Sequence, residues 1–186
     1  FIKNGYYPTD EVTTSRILNA LDSSAGTVRI FDPCCGEGVA LAEVKHHLAE
    51  CGAQVQALGV EYDAERAWHA KGLLDTVLHG DIHDVVCSPR SIGLLFLNPP
   101  YGDVVSDKAQ TGDNTKRDRL EKMFFRRTFG TLRYGGILVL IVPHYVLDSE
   151  FAHLIARNFE RVHCSMAPET RFKQAVIIGV RKRSEQ

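Results

Sequence analysis

Four short apolar runs in this chain each lead into a carboxylate or a carboxamide. Thr27-Val28-Arg29-Ile30-Phe31 meets Asp32, Val55 to Val60 meets Glu61, Thr76-Val77-Leu78-His79 meets Gly80-Asp81, and Leu94-Leu95-Phe96-Leu97 meets Asn98. Apolar runs of this length, with turn residues at their ends, read as buried parallel strands. The regular recurrence of Asp32, Glu61, Asp81 and Asn98 then predicts four polar side chains along one sheet edge, where open α/β sheets bind ligands.

The segments between these runs have the lengths and caps of crossover helices. Asp10 can cap a helix running to about Leu21, a second helix spans about Val39 to Cys51, and Asp63 can cap a third ending near Lys71. Further on, the pattern predicts a strand over 135–142 ended by Pro143, a helix over 149–158, and two last strands over 161–166 and 174–180 that can pair as a hairpin. No internal repeat or low-complexity segment is visible.

A chain of 186 residues fits a single domain. No apolar stretch approaches the roughly 18 residues that a membrane span requires. With 22 basic against 23 acidic residues, no global polycation field favours nucleic acid, so such binding would need a local patch. Lys116, Arg117, Arg119 and Lys122, at the start of a predicted helix with a Leu120/Phe124 stripe, are the candidate phosphate-contacting ridge; a solvated charged face is the plainer alternative. Arg181-Lys182-Arg183 adds basic charge near the end of the chain. Five cysteines without a C-x-x-C pair suggest neither disulfides nor zinc, and point to a reducing cytoplasm; no metal site is expected.

The sharpest chemical feature is Asn98-Pro99-Pro100-Tyr101. Two prolines cannot donate to a ladder, so the strand must stop, and the stiff backbone fixes the Asn98 amide and the Pro99 carbonyl. Two acceptors on the N–H groups of a planar exocyclic amine would localise its lone pair, and Tyr101 could stack on the ring. The first strand leads into Asp32-Pro33-Cys34-Cys35-Gly36-Glu37-Gly38, a Gly-containing turn before a helix. Glu37 would repel a pyrophosphate, whereas Asp32 suits an ammonium group, which disfavours a nicotinamide dinucleotide.

Asn98-Pro99-Pro100-Tyr101, with the loop after the first strand, resembles the class I S-adenosylmethionine-dependent aminomethyltransferases, above all the N6-adenine DNA methyltransferases. The resemblance covers nearly the whole chain. It implies a Rossmann-like fold: a seven-stranded, mostly parallel sheet with an antiparallel last strand and helices on both faces. It also implies S-adenosyl-L-methionine as cofactor, held by Asp32, Pro33, Cys34, Gly36 and Gly38 on the first loop, by Glu61 at the ribose with Tyr62 near the adenine, and by Asp81 and Ile82 on the base. Residues 1–22 would form an arm and helix closing over the methionine end, through Tyr7 or Thr9. Asn98, Pro99, Pro100 and Tyr101 would be catalytic, Asn98 also touching the cofactor.

The implied activity is methyl transfer to the exocyclic N6 amine of adenine in DNA. Alternatives are an RNA adenine or guanine methyltransferase, a protein glutamine-amide methyltransferase, a catalytic fragment needing a partner, and a non-catalytic scaffold. Residues 1–186 read as one catalytic domain without a separate target-recognition region, so a missing domain or partner subunit is expected to supply it.

Overall fold

A computed structural model describes residues 6–102, 118–168 and 173–183. Its strands are β1 (Gly26–Asp32), β2 (Ala53–Glu61), β3 (Thr76–His79), β4 (Ile92–Leu97), β5 (Leu132–Pro143), β6 (Phe159–Met166) and β7 (Gln174–Arg181). The helices are α1 (Glu11–Ala20), α2 (Val39–Glu50), α3 (Ala64–Lys71), α4 (Arg119–Thr128) and α5 (Ser149–Asn158). One sheet runs in the order β3-β2-β1-β4-β5-β7-β6. The pairs from β3 to β5 are parallel, and β7 runs antiparallel between β5 and β6. The chain therefore steps outward from β1 to β3 and returns to β4 on the other side of β1, leaving a topological switch point between β1 and β4.

Strand β4 is buried at every residue because both faces are covered. Leu94 and Phe96 point into the core under α1, α2 and α3, beside Ile17, Leu41, Val44 and Ala70. Leu95 and Leu97 point into the opposite core with Phe124, Phe125, Phe151 and Phe159 from the α4 and α5 side. This two-residue alternation explains why an uninterrupted apolar run is required. The helix starts follow the expected chemistry: Asp10, Asp63 and Asp148 each accept a first-turn N–H, from Thr13, Arg66 and Phe151.

Two strands start earlier than the sequence pattern predicts. The strand expected to open at Gly135 begins at Leu132 instead and runs through Gly135-Gly136. Gly135 takes φ 79°, which only glycine adopts cheaply, and the register against β4 shifts between Ile92 and Leu94. Likewise β6 begins at Phe159, and Arg161, the predicted first residue, sits at φ 50° where the pairing with β7 shifts register. Among the described residues, no helix is long and apolar enough to cross a membrane.

Candidate active site

The loop after β1 is built around two carboxylates from adjacent strands. Asp32, at the end of β1, is 4% exposed and accepts the Cys34 N–H at 3.0 Å. Burial, with the neighbouring Glu61 charge, pushes its carboxyl up to about 7. Glu61, at the end of β2 and equally buried, accepts the Gly36 N–H at 3.0 Å and the Asp63 N–H at 2.8 Å. Gly36 and Gly38 have φ of 58° and 86°, so the loop turns through conformations that favour glycine. Cys35 ties the loop to β2 by donating its N–H to the Val60 carbonyl.

Arg66 was not singled out by the sequence. Its guanidinium reaches back from α3 to Glu61 Oε2 at 3.2 Å and lies 4.4 Å from the centre of the Tyr6 ring. Tyr6, also missed, lies against Gly36, and its hydroxyl accepts the Glu37 N–H at 3.4 Å. A single tyrosine in an N-terminal arm carries no local signal that it will fold back over a glycine loop.

Two cavities meet at this point, sharing Tyr6, Cys34 and Asn98 in their walls. One, of about 260 Å³, is lined by Pro33, Glu61, Tyr62, Asp81 and Ile82, with Leu120, Met123 and Phe124 of α4 as its far wall. The other, of about 390 Å³, is lined by Tyr7, Thr9, Asp32 and Glu37. The residues expected to bind a cofactor are therefore gathered along one cleft, with Gly36 and Gly38 shaping the loop beside it. Asp81 caps a short 3-10 turn at Ile82–Asp84 by accepting the His83 N–H, while Ile82 is buried. Tyr62 lines the cleft but is 67% exposed.

At the end of β4, the Asn98 carboxamide donates one hydrogen to the Tyr7 carbonyl at 3.2 Å and the other to Thr9 Oγ1 at 2.9 Å. Both Tyr7 and Thr9 thus touch the site, where the sequence left the contact open between them. A carbonyl only accepts, so the amide must turn its NH2 toward the arm. Asn98 Oδ1 is consequently aimed away from it, buried and without a partner among the described residues.

The structure alters two expectations. Tyr101 is not an open stacking platform: it is 2% exposed, its ring lies 4.5 Å from that of Tyr7, and its hydroxyl accepts a hydrogen bond from Gln174. Burial raises its phenol above the ordinary range. Lys122 is not part of a free cationic ridge, because it pairs with Asp118 at 2.7 Å and Asp148 at 2.6 Å. Further along α4, Arg126 meets Glu150 and Arg127 donates to the carbonyls of Ile82 and His83. Arg119 is exposed, and Lys116 and Arg117 lie outside the described residues. Among the described residues no group of histidine, cysteine and acidic side chains could hold a metal.

A parallel sheet with its switch point at a carboxylate-lined cleft, an antiparallel last strand and a glycine loop after β1 defines the class I S-adenosylmethionine-dependent methyltransferase architecture. The profile of an uncharacterised methyltransferase family, DUF6094, matches residues 1–186, and the chain belongs to that family. Solved structures share the fold at low identity. A type I restriction-modification system methyltransferase subunit from Streptococcus thermophilus superposes with TM-score 0.71 at 18% identity, over 98% of this chain and 46% of its own. A Listeria monocytogenes protein assigned to the class I methyltransferases gives 0.66 at 20%, over 86% and 55%. A tRNA methyltransferase from Aquifex aeolicus gives 0.61 at 11%, over 98% and 73%. The chain spans about half the length of the first two.

The cofactor of this class is S-adenosylmethionine, and the residues present suit it. A buried carboxylate with a raised pKa, Asp32, is what a ligand ammonium would complete, and it lines the cleft beside the glycine loop. Glu61→Ala is expected to weaken cofactor binding by roughly 1–3 kcal/mol, since a buried acceptor is lost while Gly36 and Arg66 lose their partner. Calorimetric titration with S-adenosylmethionine checks this, and an unchanged affinity would remove Glu61 from the cofactor site.

Proposed function

We propose that this chain methylates the exocyclic N6 amine of adenine in DNA. The observation that carries this reading is the buried Asn98 Oδ1, held by Tyr7 and Thr9 with no protein partner among the described residues, at the end of a strand closed by two prolines. Leaving such an acceptor unpaired costs about 1–3 kcal/mol. An N–H of the substrate would recover that cost.

When bound, S-adenosylmethionine supplies an electrophilic methyl group. Asp32 would hold its ammonium, Glu61 its ribose and Asp81 its adenine amine. Asn98 Oδ1 and the Pro99 carbonyl would accept the two hydrogens of the substrate amine, drawing its lone pair out of conjugation. After methylation, one of those hydrogens leaves the nitrogen as a proton to solvent, so no dedicated base is needed. Catalysis is then a matter of positioning and fixed dipoles. In a duplex the adenine must leave the stack, at a cost of a few kcal/mol.

The Asn-Pro-Pro-Tyr segment and the fold shared with a restriction-modification methyltransferase subunit support DNA as the substrate. A missing recognition domain or partner subunit would supply sequence specificity. Two observations favour a second reading, methylation of a protein amide: Tyr101 is covered by Tyr7, and Lys122 is neutralised by its own carboxylates, so a base stack and a phosphate contact are both lost.

The test is transfer of labelled methyl from S-adenosylmethionine to duplex DNA, single-stranded DNA, RNA and a protein extract, followed by nucleoside mass spectrometry. N6-methyladenine in DNA is the expected product. Label confined to protein would move the assignment to the second reading, and label confined to RNA would move it to an RNA base.

A further inference from the structure

We propose that Glu121 and Gln174 are positioning residues that clamp the Asn98–Gly102 segment from behind, one through the Gly102 amide and the other through the Tyr101 hydroxyl. The inference rests on the reading of that segment as catalytic.

The segment has an anchoring problem of its own making. Pro99 and Pro100 have no N–H, so its backbone cannot be held there by donating to a neighbouring strand or helix. The Gly102 N–H, shortly after the prolines, donates to Glu121 Oε1 at 2.5 Å. Glu121 lies on α4 and is 0% exposed. A carboxylate is costly in such a place unless it is hydrogen-bonded, and one of its bonds runs to the end of the catalytic segment.

Gln174 solves the same problem for the side chain. Because β7 is antiparallel, its first residue lies at the edge where β1, β2 and β4 place their last. From there the Gln174 carboxamide, 9% exposed, donates to the Tyr101 hydroxyl. The Tyr101 ring supports the Tyr7 ring, and the Tyr7 carbonyl in turn fixes the Asn98 carboxamide. A continuous chain of contacts thus runs from β7 to the atom proposed to receive the substrate N–H. Neither Glu121 nor Gln174 lines the cofactor cleft. Loosening either should therefore displace Asn98 Oδ1 while leaving cofactor affinity intact.

Misplacement by about 1 Å can cost on the order of 100-fold in rate. Glu121→Ala and Gln174→Leu are each expected to lower kcat by about 10- to 100-fold. KM for the acceptor and the dissociation constant for S-adenosylmethionine should stay within about threefold. Glu121→Gln keeps an acceptor oxygen opposite Gly102 and should recover most of the rate. If Gln174 acts through the Tyr101 hydroxyl, Tyr101→Phe and the Gln174→Leu/Tyr101→Phe double variant should match Gln174→Leu alone.

Amide exchange of Gly102, followed by NMR on glycine-labelled protein, gives a readout that does not depend on knowing the acceptor. Exchange should be at least tenfold faster in Glu121→Ala than in the wild type and near normal in Glu121→Gln. Unchanged Gly102 exchange in Glu121→Ala, or a Glu121→Gln rate as low as that of Glu121→Ala, would overturn the proposal for Glu121. Additive losses for Gln174→Leu and Tyr101→Phe would overturn it for Gln174. Should Glu121→Ala fail to fold, the comparison of Glu121→Gln with the wild type decides instead: exchange must remain slow, and fast exchange with Glu121→Gln folded would overturn the clamp. If the wild type methylates nothing, the functional assignment fails, while the exchange data still decide whether the segment is clamped.

Discussion

Replacing Asn98 by alanine should reduce methyl transfer by about 100- to 1000-fold, the usual cost of deleting one preorganised dipole at a reacting centre. Binding of S-adenosylmethionine should change little, because the carboxylates at Asp32 and Glu61 are on other strands. Asn98→Asp should be nearly as damaging. A carboxylate would face the Tyr7 carbonyl with no hydrogen to donate, and would lose the arrangement in which Thr9 and Tyr7 take both N–H groups. Single-turnover transfer rates, set beside calorimetric cofactor affinity, test both variants. Full activity in Asn98→Ala would exclude the mechanism proposed above.

Asp32→Asn should have opposite effects on the free and the cofactor-bound protein. The Asp32 carboxyl titrates near 7 in the fold, above its ordinary value of 3.8, with burial as the main cause. A group raised on folding favours the folded state while protonated, and that contribution is lost as pH rises through the folded value. The cofactor-free protein should therefore lose stability from about pH 4 to about pH 7 through this residue and hold level above that. Asp32→Asn should remove that loss, raising stability at pH 8 by a few kcal/mol at most. In the same variant cofactor affinity should fall about 10- to 100-fold, the effect of losing a charge-assisted hydrogen bond. Wild-type affinity should itself weaken as pH falls below about 7, as Asp32 becomes neutral. Melting temperatures across a pH series, with and without cofactor, separate these effects. A variant no more stable than the wild type at pH 8 would show that Asp32 is not strained by burial.

What could be read from the sequence was local. The four strand ends at Asp32, Glu61, Asp81 and Asn98 follow from short apolar runs and the residue that stops each, and helix caps at Asp10 and Asp63 from a few neighbours. The antiparallel last pair was legible as two strands with a short connection. What escaped depends on contacts between distant parts of the chain. Arg66 looks like any surface arginine on a short helix until α3 packs with Glu61 beneath it. Glu121 looks like an exposed helical acid among basic neighbours, because one buried polar residue does not disturb the apolar stripe of α4. The basic run on α4 misleads for a related reason. The carboxylate partners of Lys122 include Asp148, which lies beyond β5 in the chain. Gly135-Gly136 was legible as the opening of a strand, but the three residues before it were not, because the strand continues back through a bulge that only pairing with β4 defines.

The bonds that converge on the Asn98–Gly102 segment come from both extremes of the chain: Thr9 is 89 residues away from Asn98, and Gln174 is 73 from Tyr101. The carboxylate loop, by contrast, is assembled from β1 and β2, two early and adjacent strands. A chain emerging during synthesis has the residues of its cofactor loop once β2 is made, but it lacks the support of β7 behind Tyr101 until residue 174 and the strand that follows have been made. Chemical competence is in this way tied to completion of the sheet, so that a polypeptide cut between α5 and β7 would keep the residues of its cleft and lose the support behind its reacting centre.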